Sequence, residues 1–347
     1  MRAPAGRFSV AALIAAALLV ILAAAPVAIR ATEFAFVTTT DYETGSASVI
    51  WLDGSYTCEK DVSGIHSDAI SRFYNGLVYV VNGLGGDNVQ VLDPAAGFST
   101  LRQFSTGNGS NPKDIALFTE TKAYVTRYET NDLWIMDPSN GNHLGSIDMS
   151  PFADADGLCE MCYMYLKADM LFITVQRLDR DNWWLPAGDS YIAVVDCAAD
   201  TLVDVDTLTA GVQGIQLIGT NPFSKLQFDH GTGRLYVSCV GSWGMQDAGV
   251  EIINPYTFQS EGYILTESAA GGDINDVEIL SPEKGYAIIT NASFHTELIC
   301  FNPTTGAVIG TIYSPGDYVL NDIAVSPGGE LFCADQTATN PGVWVYD

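Results

Sequence analysis

A short β-rich run with an aromatic residue at its centre returns seven times along this 347-residue chain. The copies are Ala35-Phe36-Val37, Val78-Tyr79-Val80, Ala123-Tyr124-Val125, Leu171-Phe172-Ile173, Leu235-Tyr236-Val237, Gly285-Tyr286-Ala287 and Leu331-Phe332-Cys333. The interval is about 45 residues, stretched most between Phe172 and Tyr236. Each anchor is followed by a second apolar run that ends in Asp or Asn, at Asp53, Asp93, Asp137, Asp196, Asn254, Asn302 and Asp347. Pro follows at 94, 138, 255 and 303, which suits a turn in which the Asx side chain bonds the backbone and Pro presets φ. A third, outer run comes next, as in Leu144–Ile147 and Val308–Ile312, and most anchors are preceded by another, as in Asp114–Phe118, Asp276–Leu280 and Asp322–Val325.

Four short strands per repeat, with no long amphipathic helical pattern, specify an all-β fold: a seven-bladed β-propeller of four-stranded antiparallel blades. A blade cannot bury both its faces alone, so the ring is expected to form one domain over residues 32–347. The first repeat lacks an inner strand and the last ends at Asp347 without an outer one, which leaves ring closure open. Residues 1–31 read as a secretory signal peptide: Arg2 and Arg7 precede an apolar run from Val10 to Ala25, with cleavage anywhere from Ala25 to Ala31. The mature protein is therefore expected to be secreted or periplasmic, without membrane insertion after cleavage.

Ala123-Tyr-Val-Thr-Arg127, Val78-Tyr-Val-Val-Asn82 and Leu235-Tyr-Val-Ser-Cys239, each leading to a strand that ends in Asp or Asn, resemble the repeats of the YVTN, or YncE-like, propellers. The resemblance covers essentially the whole mature chain and implies the fold more than any activity. Blade four departs from it through Cys159-Glu-Met-Cys162 and a long insertion.

The formal net charge is −26 and deepens when Arg2, Arg7 and Arg30 leave with the leader. Such a field repels phosphate backbones and anionic lipids, which argues against nucleic acid and membrane surfaces and favours calcium or a basic partner. Seven Cys is an odd number, so at least one thiol stays unpaired or pairs between chains, and Cys239, Cys300 and Cys333 read as small buried hydrophobes.

In a propeller, the second-to-third-strand loop and the connection to the next inner strand leave from one face. The long segments, 148–159, 177–189, 206–221 and 265–275, all fall in that class, and loops on a rigid scaffold are where binding residues sit. Arg177, Arg180, Trp183 and Trp184 within one of them are candidates for a planar, apolar or anionic ligand.

Asp68, Asp114, Asp276 and Asp322, with Asn275 and Asn321, recur at the starts of inner strands around the central channel. Calcium requires such hard oxygens, and calcium-dependent lactonase and esterase propellers look similar; the alternative is that each Asp bonds backbone amides of the neighbouring blade. His66 or Glu160 could handle protons there. Cys159 and Cys162 suit a local disulfide, or a soft metal such as copper or thiol redox exchange. Phosphate-loop, zinc-protease and serine-elbow motifs are absent from the sequence. The scaffold signal outweighs the catalytic one, so a non-enzymatic binder of an unknown protein or small molecule is expected, ahead of a calcium-dependent hydrolase.

Overall fold

The computed structural model describes residues 33–339 and 341–347; the leader expected over residues 1–31 lies outside them. Seven antiparallel blade sheets follow one another along the chain, each a meander from the channel outward as the repeat requires, with one two-stranded hairpin inserted in blade four. Blade two shows the pattern: inner strand Ala69–Tyr74, anchor strand Leu77–Asn82, third strand Asn88–Asp93 and outer strand Ser99–Ser105.

Outside blade one, the anchor strand is buried on both faces, which explains its continuous apolar run. Tyr124 and Tyr286 are almost fully buried, each worth about 2–3 kcal/mol of burial. The Tyr124 hydroxyl donates to Asp200 Oδ1 in the next blade, at 2.5 Å, with the Cys197 carbonyl 3.2 Å away. Further along the motif, Thr126 Oγ1 donates to the Cys162 carbonyl at 2.8 Å and Ser238 Oγ to that of Ile274, each again one blade on. The motif therefore joins blades as well as building them. The expected Asx turns form too: Ala95 N donates to Asp93 Oδ1 at 2.8 Å, Ser139 N to Asp137 Oδ1 at 2.9 Å and Thr304 N to Asn302 Oδ1 at 2.9 Å.

Blade four differs from its sequence reading. Its outer edge is interrupted, with Thr201–Leu202 and Ile215–Gln216 both pairing with the third strand Tyr191–Asp196. Much of the 206–221 segment thus leaves the outer rim, and only its last part reaches the face where the long loops gather.

The ring is uneven at its ends. Blade one has Phe34–Thr40, Gly45–Trp51 and Cys58–Ile65, its anchor strand being the innermost described; blade seven has Leu320–Val325, Leu331–Asp335 and Gly342–Tyr346 and no outer strand among the described residues. Six apolar clusters knit each blade to the next, from blades one and two through blades six and seven. Among the described residues none spans the seam between blades seven and one.

Candidate ligand-binding face and central channel

On the long-loop face, the blade-four insertion is a small hairpin. Leu178 pairs with Pro186 and Asp179 with Leu185, and Trp184 N donates to the Asp179 carbonyl at 3.0 Å. Trp183 and Trp184 form its tip, both at φ +59°. Two successive bulky residues in the left-handed region are costly, which points to a role for the side chains. Trp183 is 90% exposed. Trp184 stacks on Tyr128 with centroids 6.5 Å apart.

Both arginines of the insertion make contacts within it. Arg180 Nε lies 2.8 Å from Glu160 Oε1, its Nη1 meets Glu129, Asp156 lies 3.7 Å away, and its guanidinium sits 4.9 Å from the Trp184 ring centroid. Arg177 Nη1 donates to the Asp189 carbonyl at 2.6 Å, and its guanidinium lies over Tyr191. Both arginines brace the hairpin, and Arg177 Nε is buried without a partner among the described residues. Glu160 is fully buried and also accepts from Leu178 N at 3.2 Å. Burial raises its pKa while Arg180 opposes the shift. It anchors the insertion.

Other aromatic side chains emerge from loops of the same class: Tyr42 in blade one, Trp243 in blade five, Phe294 in blade six and Tyr318 between blades six and seven, all exposed. The opposite face carries Tyr56, Phe73 and Tyr256. Sequence reasoning named only the Trp pair. The others stand singly in short loops, and their gathering on one face follows from the meander alone.

The channel opens into a cavity of about 580 Å³ lined by Arg72, Tyr163, Lys225, Asn275, Asp276, Asn321 and Asp322, among others. The expected ring of aspartates is there, but each member has been given a partner. Asp114 accepts from Ile115 N and, across the blade boundary, from Met164 N, both at 2.8 Å, and pairs with Arg72 Nε at 2.8 Å. Asp276 repeats the arrangement, accepting from Val277 N at 3.0 Å and from Ile323 N of the next blade at 3.1 Å. Lys225 lies 4.0 Å from Asp276 and pairs with Asp322, which is exposed. Asp68 stands 3.9 Å from Lys113. Asn275 is occupied by Thr290 at 2.8 Å, and Asn321 is exposed to the cavity. His66 Nδ1 accepts from Asp68 N at 3.1 Å.

Burial would discharge Lys225, but Asp322 and Asp276 hold its pKa well above the ordinary lysine range. Burial pushes Asp276 up to about 7, against the pull of Lys225, and Glu278 behind it up to about 8. Among the described residues no group of three or more His, Cys, Asp or Glu is arranged to hold a metal ion. Asp114 and Asp276 are blade-to-blade latches, paired with Arg72 and Lys225, and a calcium ion there must compete with both cations.

Cys159 and Cys162 are both buried free thiols, as are the Cys of the other inner and anchor strands. Cys159 packs with Met149, Phe152 and Met161 in the core between blades three and four. Burial pushes both thiols up to about 12. The disulfide that their spacing suggested is not formed in this structure.

No protein-family model matches the chain, and no curated protein matches it. Solved structures do, at the level of fold. Streptogramin B lyase aligns at a TM-score of 0.57 with 10% identity, over 86% of this chain and 90% of the lyase. Hydrazine synthase of Kuenenia stuttgartiensis aligns at 0.54 with 13% identity, over 90% and 94%. YCF48 bound to D1 peptide aligns at 0.53 with 12% identity, over 91% and 93%. The chain is similar to these proteins as a seven-bladed β-propeller, a fold shared by enzymes and binding scaffolds.

Proposed function

We propose that this chain is an exported binding scaffold of the YVTN-repeat kind, non-enzymatic, that docks a protein or small-molecule ligand through its long-loop face. The observation that carries the reading is the set of exposed aromatics on that face: Tyr42, Trp183, Trp184, Trp243, Phe294 and Tyr318. Aromatic side chains supply large contact area at small conformational cost, and they are enriched at interfaces. The strain accepted at the Trp183–Trp184 tip supports a selected surface. YCF48, a protein of the same fold, is bound to a D1 peptide. A net charge of −26 favours a ligand that is basic or neutral.

The rival hydrolase reading draws on Asp276, a carboxyl pushed up to about 7 beside the channel cavity. One experiment separates them. Deuterium exchange is measured on the purified chain with and without the soluble envelope and medium fractions of its host, for the wild type and a Trp183→Ala/Trp184→Ala variant. Protection confined to the long loops and lost in the variant supports the scaffold. Chelator-sensitive ester or lactone turnover that Asp276→Asn abolishes, with no loop protection, supports the hydrolase.

A further inference from the structure

Lysines and arginines of this chain lie repeatedly over aromatic rings. The Arg127 guanidinium is 4.2 Å from the centroid of Trp134, Lys167 Nζ 4.5 Å from that of Tyr256, the Arg180 guanidinium 4.9 Å from that of Trp184, and Lys113 Nζ 5.3 Å from that of Tyr128. A cation over a ring face is held by the negative lobe of the π system, and a carboxylate alongside adds to the attraction. Arg180 has both, with Glu129 and Glu160 as its ion partners. Exposed aromatics of the long-loop face break the pattern. Among the described residues no Lys or Arg lies over Tyr42, Trp183, Trp243 or Tyr318.

The distribution of charge explains why. Outside blade four, the loops of that face at 41–44, 83–87, 106–111, 240–248, 292–295 and 314–319 contain no Lys or Arg. They do contain acids, and each bare ring has one in its own loop. Asp41 and Glu43 flank Tyr42, Asp181 comes just before Trp183, Asp247 shares the loop of Trp243, and Asp317 precedes Tyr318. All five acids are exposed, and none is in an ion pair among the described residues. On the opposite face, Lys122, Lys167, Arg234 and Lys284 stand at the strand ends beside the turns, and Lys167 covers Tyr256.

We propose that these aromatic-carboxylate pairs are docking points for Arg and Lys side chains, and that the partner of the long-loop face is a basic polypeptide segment. The inference rests on the scaffold reading and names the chemistry of its ligand. Each pair lacks only the cation that completes the arrangement found at Arg180. The pairs stand on blades one, four and five and between blades six and seven, so the occupant carries several cations on one backbone. Arg suits them better than Lys, because its planar guanidinium stacks on a ring while its edge still reaches a carboxylate. A net charge of −26 draws such a segment in, and the local pairs decide where it lands.

The probe is a fluorescein-labelled peptide of alternating Arg and Gly, about 12 residues long and so reaching about 40 Å when extended. It is titrated with the exported chain and followed by fluorescence anisotropy. The Arg-Gly peptide is expected to bind at low salt and a matching Glu-Gly peptide is not; failure of the Arg-Gly peptide to bind overturns the proposal. Net charge alone attracts any polycation, so the decisive variants leave the charge unchanged. Trp183→Ala/Trp243→Ala is expected to weaken binding about 10-fold, and Trp183→Ala alone, at a side chain 90% exposed, about 3-fold with no change in melting temperature. Wild-type affinity in both variants means that charge alone holds the peptide, and refutes the docking points. Deuterium exchange with the peptide bound is expected to protect loops 41–44, 181–185, 240–248 and 314–319, and protection around Tyr256 instead contradicts the assignment. Host fractions that protect the long loops while the Arg-Gly peptide does not bind leave the scaffold standing and rule out this partner.

Discussion

Arg180 bears on Glu160 at 2.8 Å in a site where the carboxylate is fully buried. Removing the arginine strands that charge, so Arg180→Ala is expected to cost about 3–5 kcal/mol in denaturant unfolding, and Glu160→Gln, which keeps shape without the charge, clearly less. Equal costs contradict this pairing. The channel acids make a second prediction, on pH. Burial holds Asp276 at about 7 and Glu278 behind it at about 8, both above their unfolded values. Between about pH 4 and 8 the folded chain keeps protons that the unfolded chain releases, so this stabilisation is full at the low end and is lost as pH rises. The urea midpoint is expected to fall from pH 5 to pH 8, and Glu278→Gln to flatten the fall by up to about 1.4 kcal/mol per pH unit. A midpoint that climbs over that range rules out the assignment. The channel aspartates show how far single residues could be read in advance. Their recurrence is visible in the sequence, but Arg72 and Lys225, which answer them, come from other blades at unrelated spacings.

At the scale of elements, the blade strands and Asx turns were legible because each is fixed by local chemistry: alternation of apolar runs, an aromatic anchor, an Asx residue before the turn. The outer strand of blade four was not, since Thr201–Leu202 and Ile215–Gln216 are each two residues long and carry no period. The Trp hairpin was legible as composition and not as conformation. Its geometry separates a role in binding from one in stability. Glycine occupies the left-handed region freely, and Trp183 packs against little, so Trp183→Gly is expected to leave the melting temperature unchanged or raise it, by about 1 kcal/mol of relieved backbone strain. The same variant is expected to weaken whatever the long-loop face binds. A large loss of stability means instead that Trp183 is a structural roof.

Over the whole molecule, two forces oppose each other. Six apolar clusters close the blades pairwise, and a net charge of −26 pushes the ring apart. Mobile ions weaken that repulsion over distances of about 10 Å at 0.1 M salt, so the unfolding midpoint should rise with ionic strength. Screening does not distinguish ions beyond their charge, whereas a channel site would. With the channel carboxylates held by Arg72 and Lys225, calcium and magnesium chloride at the same concentration are expected to raise the melting temperature equally and without saturation. A calcium-specific shift that saturates near one ion per chain, and disappears in Asp276→Asn, means that calcium displaces Lys225. The latch between blades six and seven is then a metal site, and the hydrolase reading regains its cofactor.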